Sequence, residues 1–307
     1  MTIGRFALRR RDYDFPPFRP PSEAESLLLR VTRGCPWNRC TFCSMYKTIK
    51  FEIREPEEVL SDIQLAKDLY GDRVRTVFIG DSNSLVVKAD TLVQILNALY
   101  ASFPHVERVT SYARAKTLAK KPIEDLERVF RAGLTRLHVG LETGDPDLLK
   151  EIEKGATPEE MVEAGRRAKQ VGFEYSLYVL LGIGGEENWE RHARGTAEVL
   201  NQIDPHFIRV RTYVPQPGSP LYDATEEGRF HPASPETILK ETKLLLEELD
   251  VTSQFLSDHI SNLLPLDGKL PEEKGRMVQM IEDALKGLEE DDSLREEMEI
   301  RRHLTNL

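Results

Sequence analysis

A chain of 307 residues can fold as one large barrel-type domain or two smaller ones and can bury a sizeable core. Its 40% hydrophobic and 31% charged residues are ordinary for a globular protein, and no apolar run approaches the roughly 20 residues that span a bilayer. The formal net charge of −10 argues against a large nucleic-acid footprint, which needs clustered Lys and Arg.

Residues 1–25 are rich in Arg and Pro and read as an irregular N-terminal arm. Arg5, Arg9, Arg10 and Arg11 crowd it, a run that reads as a solvated face. The apolar centre of a signal peptide is lacking, so a reducing cytoplasm is the simplest home. From Leu27, short apolar runs alternate with amphipathic segments. The strand candidates are Leu27–Thr32, Arg75–Ile79, Arg108–Tyr112, Arg136–Val139, Phe173–Leu181 and Phe207–Tyr213. Between them, Glu57–Tyr70 carries Val59, Leu60, Ile63, Ala66 and Leu69 at helical spacing, and Thr91–Phe103 carries Leu92, Ile95, Leu96 and Leu99. Pro122–Ala132 ends at Gly133, as a helix should. Thr157-Pro-Glu-Glu160 is a capping box that opens a helix stopping near Gly172. A further helix runs from about Glu186 to Leu200.

Strands alternating with helices indicate parallel βαβ units with right-handed crossovers. Six such units fall short of a full eight-fold barrel. The expectation is therefore an α/β fold, a partial (β/α)6 TIM-like barrel over residues 26–215. The loop Val214–Leu221 follows, then helical patterns over Pro235–Asp250 and Pro271–Leu288. Residues 216–307 read as a helical C-terminal extension capping the barrel, with a charged tail from Glu289 that is frayed or helical at the surface.

All three cysteines fall within nine residues, Cys35-Pro-Trp-Asn-Arg-Cys40-Thr-Phe-Cys43. A disulfide would leave an odd thiol. Zinc would need a fourth ligand, and none of the seven histidines forms an H-x3-5-H pair. An iron–sulfur cluster normally takes four cysteines, so three from one loop leave an iron open to a small molecule. The loop follows the first strand directly, at the strand end where barrels of this kind carry their active sites.

Arg33-Gly34-Cys35-x4-Cys40-x2-Cys43, with Phe42 before the last cysteine, resembles the radical S-adenosylmethionine (SAM) superfamily, in the branch of the Elp3, MiaB and NifB type domains. The commonest motif there is C-x3-C-x2-C, and this chain has one more residue in the first gap. The resemblance covers roughly residues 25–215 and implies the same partial barrel. It implies a [4Fe–4S] cluster on Cys35, Cys40 and Cys43, with SAM chelating the fourth iron and Phe42 beside the adenine.

Further strand ends match in sequence position. Ile79-Gly80-Asp81-Ser82-Asn83-Ser84 reads alone as a polar turn; the resemblance implies that Gly80, Asp81 and Ser82 meet the SAM amino group. Strand alternation puts His138, Gly140 and Glu142 on one face. A buried carboxylate needs a partner, and for Glu142 a ribose hydroxyl pair is a natural one; the family places a SAM-binding polar residue here. Lys154 is either a surface lysine or, by resemblance, the partner of the SAM carboxylate. The glycine run Gly182-Ile183-Gly184-Gly185 lets main chain lie against a flat ring, and the resemblance implies that the ring is the adenine. In Phe207–Tyr213, Ile208 and Val210 alternate with Arg209 and Arg211, which sends both arginines and Tyr213 inward. An arginine is almost never buried unpaired, so these two meet an anion: Glu142, the SAM carboxylate or an acidic substrate group. His259, in Ser257-Asp258-His259-Ile260-Ser261-Asn262, is a candidate lid contact or proton donor.

The resemblance implies an enzyme that cleaves SAM reductively and abstracts hydrogen from a small-molecule or protein-bound substrate. Its electron donor would be a flavodoxin or ferredoxin. With no second cysteine set, sulfur insertion of the lipoyl or methylthio type would need a partner carrying an auxiliary cluster. The reading from another class is a non-catalytic zinc- or cluster-binding interaction protein. The acidic balance makes nucleic acid an unlikely substrate, and no membrane partner is expected.

Overall fold

The computed structural model describes residues 18–302. The basic run at Arg5, Arg9, Arg10 and Arg11 and the final five residues of the tail lie outside the described residues. In chain order the first elements are β1 (Leu27–Arg30), β2 (Thr32–Arg33), β3 (Glu52–Ile53), α1 (Pro56–Tyr70), β4 (Thr76–Gly80), α2 (Ala89–Ser102) and β5 (Arg108–Ala113). Next come α3 (Ala115–Lys120), α4 (Ile123–Arg131), β6 (Leu134–Glu142), α5 (Pro146–Glu151), α6 (Pro158–Val171) and β7 (Glu174–Leu181). The last are α7 (Trp189–Ile203), β8 (Phe207–Thr212), α8 (Pro220–Glu226), α9 (Pro235–Glu248), β9 (Gln254–Leu256), β10 (Gly268–Lys269), α10 (Lys274–Glu290) and α11 (Asp292–Arg302).

The chain groups into two compact units. Among the described residues, one holds those up to Asn38, Thr48–Val139 and Arg166–Tyr175; the other holds Arg39–Lys47, Gly140–Gly165 and those from Ser176 on. In the first, β1, β4, β5 and β6 run parallel in that order, with Leu29 beside Ile79, Ile79 beside Ser111 and Ser111 beside Leu137. Every residue of β1 is buried, the apolar run Leu27–Leu29 as expected of a parallel strand covered on both faces and Arg30 as well. α2 buries Leu92, Ile95, Leu96 and Leu99, the residues its periodicity marks. α1 buries Val59, Ile63 and Ala66, but Leu69 is 47% exposed. Leu69 shares an i, i+4 row with exposed Leu65, beside the buried stripe rather than in it.

In the second unit β7 and β8 pair in parallel from Ser176–Phe207 to Leu181–Thr212. The extension adds two short strands to its helices: β9 runs parallel to β8, and β10 antiparallel to β9. Helix starts are signalled locally. Thr157 and Glu160 form the reciprocal capping box, at 3.3 and 3.2 Å. Ser234 caps α9 by accepting the Thr237 N–H, with Pro235 at the first helical position. No described helix is long and apolar enough to cross a membrane.

Candidate functional site

The cysteine loop leaves β2 through Gly34, whose φ of +74° an L side chain would resist. In the first unit its root is held by side chains just past β4. Asp81 Oδ2 accepts the Gly34 N–H at 2.9 Å and an Arg30 Nη2–H at 2.7 Å, while Ser82 Oγ donates to the Gly34 carbonyl at 2.9 Å. Arg30 and Asp81 are both buried, so this is a desolvated ion pair with an extra hydrogen bond. Cys35 Sγ accepts the Asn38 N–H at 3.3 Å. Asn38 lies inside the lengthened first gap with φ +50°, a left-handed conformation that asparagine tolerates better than most residues. Trp37 carries the Arg114 guanidinium 5.1 Å from its ring centre.

The second unit holds the rest of the loop. The Thr41 N–H bonds the Ile152 carbonyl at 3.0 Å, and the Thr41 carbonyl accepts from Leu221 at 2.9 Å. Lys47 Nζ donates to the Cys40 carbonyl at 3.1 Å. Phe42, Tyr213 and Leu221 pack against Ile152, Leu180 and Ile183. The three cysteines are half-buried and none is in a disulfide. In chemistry the three thiols suit a cysteine-ligated cluster, although among the described residues no three ligating side chains are gathered closely enough to hold a metal ion.

Glu142 ends β6 at φ +64°, strained for a side chain of its size, and turns its carboxylate back over Gly140. There it pairs with Lys154 Nζ at 2.5 Å, and Lys154 in turn lies 5.8 Å from the Phe42 ring centre. A Cβ at position 140 would sit 2.0 Å from Glu142 Oε1 and 2.8 Å from Lys154 Nζ, so glycine makes the room for the pair. His138, on the same strand in the first unit, is fully buried and meets Glu23 at 3.4 Å instead. At the end of β7, Gly182 (φ +78°) and Gly185 (φ +64°) bracket the glycine turn, with Gly184 between them 3.0 Å, by its missing Cβ, from the Asn188 carbonyl.

The anion that the strand pattern demands of Arg209 is Asp258, not Glu142; Arg209 is 4% exposed and the two side chains form an ion pair. Arg211, one pleat on, is half-buried. His259 Nδ1 accepts the Ser261 N–H at 3.1 Å, which leaves the ring proton on Nε2. Burial and the nearby Arg211 charge push His259 down to about 4, with Asp258 opposing. Burial raises the Tyr213 phenol above its ordinary value of 10, Ser219 opposing and the Cys43 thiol adding to the rise, so Tyr213 keeps its proton. Pattern reading missed Arg30, Thr143, His192 and Glu241. The one local signal was a glutamate amid Ile238, Leu239 and Leu245 on the buried side of α9.

The family model of the radical SAM superfamily matches residues 29–194, more than half of the chain and all of the cysteine loop. The chain belongs to the radical SAM superfamily. The domain of that superfamily implies a [4Fe–4S] cluster and SAM as cofactors. The chain is 28% identical over 233 residues to a biotin synthase of Corynebacterium glutamicum, covering 71% of this chain and 65% of that one. It is 22% identical over 159 residues to the heme chaperone HemW of Bacillus subtilis, covering 52% of this chain and 41% of the relative. The chain thus spans less than two thirds of the length of these relatives. Coproporphyrinogen III oxidase (HemN) from Escherichia coli superposes with a TM-score of 0.56 at 16% identity, over 73% of this chain and 52% of that chain. Methylornithine synthase (PylB) superposes with a TM-score of 0.51 at 20% identity, over 73% and 63%. At such identities the likeness is one of fold, the α/β partial barrel of this superfamily.

Proposed function

We propose that this radical SAM enzyme holds its cluster on Cys35, Cys40 and Cys43 and its SAM against the Glu142–Lys154 corner, and abstracts hydrogen from a small-molecule or protein-bound substrate. The bound cluster and SAM supply one-electron cleavage and a hydrogen-abstracting radical; the protein supplies binding, orientation and exclusion of water. The observation that carries the reading is the position of Phe42, which packs among Ile152, Leu180 and Ile183 one residue before Cys43 and within reach of Lys154. That arrangement puts an apolar wall, a cation and a carboxylate beside the loop that would carry the cluster. The corner suits a ligand with an adenine, ribose hydroxyls and a carboxylate. Lys154 would take the carboxylate and Glu142 the hydroxyls, while the turn through Gly184 lets main chain lie against the ring. Arg211 and the neutral His259 are the side chains proposed to face substrate, and an acidic electron carrier such as a flavodoxin or ferredoxin is the proposed donor.

A sulfur-inserting role is the second reading, favoured by the biotin synthase match. With only three cysteines, all in one loop, this chain would then work with a partner that carries an auxiliary cluster. Oxygen-free reconstitution tests the first reading. About four irons per chain and 5′-deoxyadenosine released from SAM on reduction support it. A colourless protein holding a single zinc overturns it.

A further inference from the structure

Next in sequence to Glu142, Thr143 belongs to a fully buried polar cluster of the second unit. His192 of α7 and Glu241 of α9 are fully buried, as are Thr143 and Thr196. Glu241 Oε1 accepts the Gly182 N–H at 2.8 Å and lies 3.3 Å from His192 Nε2. On the other side of the ring, Nδ1 meets Thr143 Oγ1 at 2.8 Å. The same hydroxyl oxygen accepts the Asp145 N–H at 3.1 Å, and Thr196 Oγ1 accepts the Gly144 N–H at 3.0 Å. A hydroxyl that accepts from Asp145 is placed to donate to Nδ1, while Nε2, near the Glu241 carboxylate, makes no hydrogen bond of its own. The contacts therefore run from the main chain ending β7, through side chains of two helices, to the residue that follows Glu142.

Two features make this cluster more than a filler of space. A buried ionisable pair is commonly replaceable by apolar residues without loss of stability, and here Glu241 Oε2 has no partner at all. Its partners are also main-chain and hydroxyl groups at two strand ends, not other core side chains. The second feature is the strain at Glu142, whose φ of +64° persists only if the neighbouring chain is over-determined. Thr143 and Gly144 are the adjoining residues, and Gly144 lies so near α7 that a Cβ there would be 2.1 Å from the Gly195 carbonyl.

We propose that His192 and Glu241 are positioning residues for SAM. Through Thr143 they hold Glu142 in its left-handed turn, with its carboxylate on Lys154, and through Gly182 they fix the start of the glycine turn. The inference rests on the reading of the Glu142–Lys154 corner as SAM-facing.

A double-mutant cycle on cluster-loaded protein separates the two. Parent, Glu142→Gln, Glu241→Gln and the double variant are compared by SAM titration without oxygen, with iron content and melting temperature measured alongside. Glu241→Gln should weaken SAM about tenfold at unchanged iron content, and should cost less than about twofold when Glu142 is already Gln, because coupled sites are non-additive. Equal losses in both backgrounds, or parental affinity in Glu241→Gln, would overturn the positioning role while leaving the corner assignment intact. Parental affinity in Glu142→Gln would instead remove the corner, and the proposal with it. Should Glu241→Gln fail to fold, Thr143→Val cuts the contacts at one link without changing side-chain shape. The same non-additivity with Glu142→Gln is expected of it, and additivity again overturns the role.

Discussion

Asp81 and Glu142 are both acidic residues at the C-terminal end of a parallel strand, and both are nearly buried, at 5% and 8% exposure. Asp81 Oδ2 takes both the Arg30 guanidinium and the Gly34 N–H, and the result fixes the root of the cysteine loop. Glu142 sits on strained backbone, is given space by a glycine, and pairs with a lysine that also leans on an aromatic ring. Position at a strand end does not tell these apart. The proposed contrast is that Asp81 holds the loop, while the strained backbone at Glu142 aims its carboxylate at a ligand.

The largest expected effect lies in the loop beside Asp81. Replacing Cys35, Cys40 or Cys43 by alanine should take iron content from about four to near zero per chain, since no spare cysteine exists to substitute. A full cluster in any single variant would refute the ligand assignment. Asp81→Ala removes one partner of a buried ion pair, a loss that costs about 3–5 kcal/mol. A large fall in melting temperature is therefore expected, and parental stability would undo the scaffold half of the comparison.

Gly140→Ala attacks the other half. The added Cβ must displace the Glu142 carboxylate, so SAM affinity should fall about tenfold, in line with the loss of a charge-assisted hydrogen bond. Unchanged affinity would mean that the Glu142–Lys154 geometry is incidental. Arg211→Lys should slow turnover, because lysine lacks the planar two-pronged contact, and should leave SAM binding and melting as in the parent. A parental rate would free Arg211 of any substrate role.

The smallest effect concerns His259. Its value falls from 6.5 to about 4 on folding, so the unfolded chain binds the extra proton first as pH drops. Stability from this group is complete above pH 6.5 and is lost between there and about 4. His259→Gln should flatten the melting-temperature profile in that window, and an identical profile would show that the ring is not neutral in the fold.

Much of this was legible in the sequence, unevenly. Helices such as α2 declare themselves through four apolar positions at one period, and parallel strands through unbroken apolar runs. β9 and β10 span three and two residues, and α3 and α5 six each, too short for a period to register. Leu69 shows the limit of periodicity, since one position off the stripe places a leucine in solvent. The demand that Arg209 meet an anion was readable from the strand, but its partner Asp258 stands 49 residues away and only the fold could name it. Glu142 was found by position; its left-handed backbone was not, because nothing in the side-chain pattern encodes it. His192 and Glu241 lie on helices that carry many other charged residues, and nothing in either sequence marks these two as the buried ones.

The most direct test is a SAM titration of cluster-loaded Glu142→Gln against parent, at equal iron content and without oxygen. The account predicts a ten- to hundredfold loss of affinity, the equivalent of about 1.5–3 kcal/mol, at an unchanged melting temperature. Parental affinity together with a lowered melting temperature would contradict it, and would place Glu142 with Asp81 in the scaffold.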